Sequence, residues 1–313
     1  MSRDSIPEGT EHGHSGRKWL RVGARAAAGA VVIAAFVFAL LTHRSEDAVN
    51  VDKLKESYNI GEPDRVLAFG GPAAPDGLQF MRDSTAWNVN VNGQLEEVPA
   101  AQPRLALYGP LAGGWLIEEA RTNIALHARE LGKAPWRLVN GTSRIDDGMA
   151  APDPLRKAVL VRGQGDKCAT LSLSAKTDEA NAPYTASVFL KADGAATATL
   201  GVEAPKPSAP STITVAIEKE DIRVTAKPVL GGYEKLGGGW IRVWTTVRNT
   251  APGPIEISIT GACEKAALWV WGAQLEKGIG ATSFIPAETS PAIRAADRLV
   301  AKDVQWIEQA TGT

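Results

Sequence analysis

The chain has 313 residues, with 34 Lys and Arg against 35 Asp and Glu, a formal net charge of −1. So even a balance argues against the basic surface that nucleic acid requires, and the length suffices for one large β domain or two small ones. Two cysteines, neither in a CxxC nor near a histidine, argue against a zinc site, while nine tryptophans suit a stacking surface.

Residues 1–23 read as a polar cytoplasmic tail in which His12 and His14 are solvated. Ala26–Thr42, AAAGAVVIAAFVFALLT, carries no charge. At about 1.5 Å per residue it covers most of a hydrocarbon core, and extension to residue 24, with Arg25 snorkelling, makes 24–42 a transmembrane helix. Arg17, Lys18, Arg21 and Arg25 precede the acidic Glu46 and Asp47, which orients the N-terminus inward and the rest outward. The rival is a cleaved signal peptide, but HRSEDAVN after the apolar run offers no small-x-small cleavage site, so an uncleaved signal anchor is favoured. Residues 43–65 are polar and charged, as in a linker or stalk.

From residue 66 the pattern becomes that of an all-β protein. In MRDSTAWNVNVNGQLEEV, Trp87, Val89 and Val91 alternate with Asn88 and Asn90, and Asn92-Gly93 fits a type I′ hairpin turn. WLIEEARTNIAL fits either a strand or a short helix. KAVLVRG, KCATLSLSA, YTASVFLKA, ATATLGVEA, STITVAIEK, WIRVWTTVRN and IEISITG follow as strands, and this punctuation argues an antiparallel β-sandwich.

Strand periodicity puts Trp240, Arg242 and Trp244 on one face, where indoles could stack on sugar rings while the arginine donates to hydroxyls; alternatively these tryptophans serve as edge and core. In ALWVWGAQLE, Leu268, Val270 and Gly272 face one way and Trp269, Trp271 and Ala273 the other, either extending that platform or packing into the core. Tyr184 is a rim contact and Phe189 a core residue. Glu118, Glu119, Arg121 and Asn123 form the densest polar cluster. Adjacent glutamates on a strand point to opposite faces, so they cannot flank a glycosidic bond, and Arg121 instead bridges to Glu276 or Glu119. No P-loop, GxSxG or HExxH occurs, so no enzyme activity is expected. Cys168 and Cys263 either pair, if the domain lies outside the cytoplasm, or are separate buried thiols.

MRDSTAWNVNVNGQLEEV, LIEEARTN (Leu116–Asn123), SVFLKADG (Ser187–Gly194), GGGWIRVWTTV (Gly237–Val247) and WGAQLEKGIGATSFIPAETSPAIRAADR (Trp271–Arg298) resemble, in order and spacing, a family of bacteriophage structural modules from tail fibres and head spikes. The resemblance covers about residues 66–298. It implies a jelly-roll related to carbohydrate-binding modules, with Glu119, Arg121, Asn123, Gln274 and Glu276 as structural residues. Such modules often hold a structural calcium. Asp297 and Glu276 are the carboxylates available, but Trp271-Gly272 stands where relatives often carry acidic residues, so no metal or cofactor is expected. Residues 299–313 are a tail or the start of a truncated further domain.

The expected function is non-catalytic glycan binding or adhesion from a membrane anchor, with Trp240, Arg242, Trp244, Trp269, Trp271 and Tyr184 as ligand contacts. The alternative is a purely structural or protein-interaction sandwich on a virion or cell surface. A homo-oligomer remains open. For the topology, a C-terminal reporter active only in the cytoplasm is expected to be silent, and strong signal from it overturns the inward orientation of the N-terminus.

Overall fold

A computed structural model describes residues 77–106, 114–205, 211–219, 221–263 and 266–302. The tail at 1–23, the apolar segment at 24–42, the linker at 43–65 and residues 303–313 lie outside the described residues. Twenty strands are described, beginning with β1 (Leu78–Met81), β2 (Ala86–Val89), β3 (Leu95–Val98), β4 (Arg104–Ala106), β5 (Gly114–Leu116), β6 (Arg121–Asn123) and β7 (Arg137–Val139). The longer strands are β8 (Gly141–Ala150), β9 (Lys157–Gly163), β10 (Ala169–Thr177), β11 (Pro183–Asp193), β12 (Ala195–Glu203) and β13 (Ser211–Glu218). They continue with β14 (Asp221–Ala226), β15 (Gly231–Lys235), β16 (Ile241–Arg248), β17 (Gly253–Gly261) and β18 (Ala267–Lys277), and two short strands close the chain, β19 (Ala292–Arg294) and β20 (Arg298–Ala301). WLIEEARTNIAL therefore contributes two short strands, and no helix among the described residues is long and apolar enough to cross a membrane.

Two antiparallel sheets face each other. One runs β14-β13-β12-β17-β10-β7; the other runs β15-β16-β11-β18-β6-β19, with β9 and then β8 joined to the first half of β18. In β12, β13 and β17 apolar and polar residues alternate, so Leu200, Val202, Ile213, Val215, Ile257 and Ile259 all point inward. Ala186, Val188, Leu190, Val243, Val270 and Leu275 meet them from the opposing sheet. Each larger side chain withdrawn in this way contributes about 1.5–3 kcal/mol.

The central strands of the second sheet do not alternate. Thr185, Ser187 and Phe189 of β11 are buried together with Ala186, Val188 and Leu190, because the outer face of this sheet is covered too. Trp87 and Leu95 of the β2–β3 hairpin, together with Phe284, pack there against Phe189, Trp240 and Trp271. The hairpin loop spans five residues rather than the two of a type I′ turn, since Val89 pairs with Leu95. Asn90 organises it: its Oδ1 accepts from the amides of Asn92 and Gln94, at 2.9 and 3.1 Å. Gly93 lies so close to Gly237 that a Cβ would sit 2.0 Å from the Gly237 nitrogen, so the loop tip docks by backbone alone.

β18 departs from the expected alternation. Gly272 adopts φ +66° and the pairing with β11 slips between Ser187 and Phe189. The bulge inserts one residue, so Ala273 turns inward with Leu268 and Val270 instead of siding with Trp269 and Trp271.

Cys168 and Cys263, 95 positions apart in sequence, form a disulfide with Cα atoms 3.9 Å apart. It joins the turn before β10 to the end of β17. β1 pairs with β20, and Lys302 donates to the Gly77 carbonyl at 2.8 Å, so the described chain begins and ends at one place. Closing so long a loop removes unfolded-chain entropy worth roughly 4–5 kcal/mol. Reduction, or replacement of both cysteines by serine, is expected to lower the urea midpoint accordingly; an unchanged midpoint would show that the bridge contributes nothing.

Candidate functional site

The outer face of the second sheet carries the tryptophans. Cross-strand pairing sets Trp244 beside Ser187 and Arg242 beside Phe189 on β11, and then Ser187 beside Gln274, Phe189 beside Trp271 and Lys191 beside Trp269 on β18. Trp240, Arg242, Trp244, Trp269 and Trp271 thus share a face, but they do not form an open platform. Trp271 is fully buried, and Trp240 and Arg242 are nearly so. The Trp271 and Phe284 rings lie 4.8 Å apart, Phe189 sits 5.9 Å from Phe284, and Trp87 from the hairpin closes over Phe284 at 6.0 Å. Arg242 stacks its guanidinium 5.1 Å from the Phe189 ring, donates to Ser187 Oγ and approaches Glu234 at 3.7 Å. Tyr184 is also corrected. The pleat of β11 points it into the core between the sheets, and burial, followed by the charges of Asp178 and Glu179, pushes its hydroxyl above the usual phenol range.

Two tryptophans of this face stay half-buried. Trp269 has the Lys191 ammonium 6.0 Å from its ring. Trp244 lies across β15, where its register partner is Gly232, and a Cβ there would come within 3.4 Å of the indole nitrogen. The glycine lets the indole settle on bare backbone, beside the exposed Glu234.

The polar motifs form a buried frame beneath the hairpin. Asn123 donates to the Ala273 and Ile285 carbonyls and accepts from the amides of Ala125 and Leu275. Gln274 accepts from the Ile285 amide and donates to Glu276, which also receives the amide and hydroxyl of Thr282. Arg121 pairs with Glu119, not Glu276, and donates to the Lys277 carbonyl, tying β6 to the end of β18.

Sequence reading missed the charged centre of this frame. Asp297 accepts from Arg82 at 3.0 Å, from Arg104 at 2.5 Å and from the Glu118 amide at 2.9 Å. Glu118 receives Arg104 at 2.9 Å, Arg294 at 3.4 Å and both the amide and hydroxyl of Ser283. Burial alone would push the Glu118 carboxyl up; Arg294, then Arg104, then the Ser283 hydrogen bonds outweigh it and hold the carboxyl below the usual range. The only local sequence signal was the spacing of Arg294 and Asp297 in RAAD, since Arg82 and Arg104 are remote in sequence from their partners.

This arrangement does not favour glycosidic acid–base work. Glu118 is locked among cations and Glu119 points to solvent. Asp297 and Glu276, the calcium candidates, have their oxygens engaged by arginines, amides, Gln274 and Thr282. His127, Glu130 and Glu288 bring ligand atoms within 4.8 Å of one another, but Lys133 occupies Glu130 and Arg129 occupies Glu288.

No family model matches the sequence, and no curated protein matches it. Solved structures similar to it include TmCBM61 in complex with beta-1,4-galactotriose, 11% identical over 50% of this chain and 99% of that one, with TM-score 0.31. The CBM22-1 xylan-binding domain from Paenibacillus barcinonensis Xyn10C is 12% identical over 47% and 87%, with TM-score 0.32. The enzymatically active domain of bacteriophage CBA120 tailspike protein 4 is 8% identical over 50% and 21%, with TM-score 0.34.

Asp297→Ala strands buried arginines and is expected to cost about 3–5 kcal/mol in urea unfolding, whereas Glu119→Ala removes an exposed carboxylate and leaves Arg121 its Lys277 carbonyl acceptor, so it should cost less; equal costs would refute the ranking. Because the folded Glu118 carboxyl is depressed, its stabilisation is complete above the ordinary carboxylate range and is lost as pH falls through the lower folded value. The stability gap between wild type and Glu118→Gln should therefore narrow on acidification, and a constant gap would contradict it.

Proposed function

We propose that this chain is a non-catalytic, membrane-anchored glycan-binding module with a jelly-roll of phage structural-protein descent. The observation that carries the reading is Trp244, a half-buried indole resting on Gly232 and flanked by Glu234 and the Arg242 edge. A ring in this setting offers an apolar plane to the C–H face of a sugar, and Glu234 can accept from hydroxyls. Trp269, with Lys191 beside it, is the second such ring. The likeness of LIEEARTN, WGAQLE, TSFIP and RAAD to phage modules supports the descent. The Cys168–Cys263 disulfide supports placement outside the cytoplasm, since such bonds persist in oxidising compartments.

On a surface this open, sugar hydroxyls exchange water hydrogen bonds for protein ones, so affinity for one sugar is modest. Several copies on one membrane raise it through avidity. The second reading, a structural or protein-interaction sandwich, draws on a specific observation: Trp240, Trp271 and Tyr184 are all buried.

A glycan-array screen of the full chain separates the two. Binding is expected, and Trp244→Ala should abolish it while costing less stability than the about 3–5 kcal/mol of a fully buried tryptophan. An array without hits, or a Trp244→Ala variant that unfolds, favours the structural reading.

A further inference from the structure

At the opposite edge of the same sheet, the turns at 127–136 and the β8–β9 hairpin enclose a cleft of about 410 Å³. Four cations line it, Arg129, Lys133, Arg156 and Lys157, with Glu130 the one anion among the described lining side chains. These cations are not equally engaged. Arg129 is held by Glu288 at 2.6 Å and Lys133 by Glu130 at 2.8 Å, whereas Arg156 makes only a 4.0 Å approach to Asp153. Lys157 is exposed and has no ion pair among the described residues.

An aliphatic surface adjoins them. Leu155 is 90% exposed and Ile145 56% exposed. Leu155 is held in place: the buried Asp153 accepts the Leu155 amide through its side chain at 3.0 Å and the Arg156 amide through its carbonyl at 3.0 Å. A leucine fixed outward beside cations is a poor arrangement for solubility and a good one for contact.

We infer that this cleft is a second saccharide site, one that takes a carboxylate-bearing sugar residue. Arg156 and Lys157 supply the charge for the carboxylate. Leu155 and Ile145 supply an apolar floor for the C–H face of the ring. Ser143 and Glu130 supply partners for hydroxyls. The Lys133 hydrogen bond holds the Glu130 carboxyl below its usual range, so it stays an acceptor at neutral pH. A uronic acid residue meets all three demands. A neutral sugar leaves the cations unanswered, and inorganic phosphate offers no apolar face. Strands β11 and β18 lie between Trp244 on β16 and the cleft beside β9, so the two sites are separate.

The test titrates the full chain with an oligogalacturonate and with the same oligomer after its carboxylates are reduced to hydroxymethyl groups. The acid form is expected to bind about tenfold or more tightly than the reduced form, the worth of one hydrogen bond between charged groups, and to weaken as salt rises. Arg156→Gln with Lys157→Gln should remove that preference, and Lys157→Gln alone should reduce it; both positions are exposed, so melting temperature should not move. Trp244→Ala should leave acid-form binding intact, which separates this site from the one proposed above. Failure of the acid form to bind, equal binding of the two oligomers, unaltered binding by the double variant, or stronger competition from a polyglutamate peptide would each overturn the inference.

Discussion

The Asp297 carboxylate, withdrawn from water, accepts from two arginines and a backbone amide that arrive from three separate parts of the chain. Arg82 leads into the β2–β3 hairpin, Arg104 lies in β4, and Glu118 follows β5. Each guanidinium further donates to a carbonyl of the same layer, Arg82 to Pro99 and Arg104 to Trp87. Charges desolvated to this degree are tolerated only while every partner is present. The centre therefore acts jointly: the N-terminal layer docks with all of its partners in place or does not dock. On its docking depend the covered outer face of the sheet and the burial of Phe189, Trp240 and Trp271.

That covering decides which aromatic side chains reach water. The hairpin, together with Phe284, covers most of the aromatic and cationic side chains that β11, β16 and β18 present on this face. With it in place, the accessible ring and cations lie at the margins: Trp244 over β15 on one side, and the cationic cleft beside β9 on the other. The two margins differ in chemistry, one an indole with a carboxylate, the other aliphatic and basic.

The sandwich is legible in the sequence where one face of a strand meets core and the other water, as in β12, β13 and β17. Legibility ends where both faces are covered. Trp240 and Trp271 occupy the face that periodicity assigns them, yet periodicity cannot tell solvent from a second packed layer. The bulge at Gly272 shifts Ala273 to the inner face, and no alternation rule anticipates a single inserted residue. Asn92-Gly93 suggested a two-residue turn, but Asn90 captures two amides and makes the loop longer. Asn123, Gln274 and Glu276 were readable through motif likeness. Arg82 and Arg104 were not, because a residue whose partner is about two hundred positions away leaves no local pattern.

The pairing of β1 with β20 also has a mechanical meaning. The chain arrives at Leu78 and departs at Ala301, side by side on an antiparallel ladder. A pull between the two termini opens that ladder like a zipper, one rung after another, beginning at the bond between Lys302 and Gly77. Each rung yields singly, so the ladder that closes the described chain is compliant to a pull applied at its own two ends.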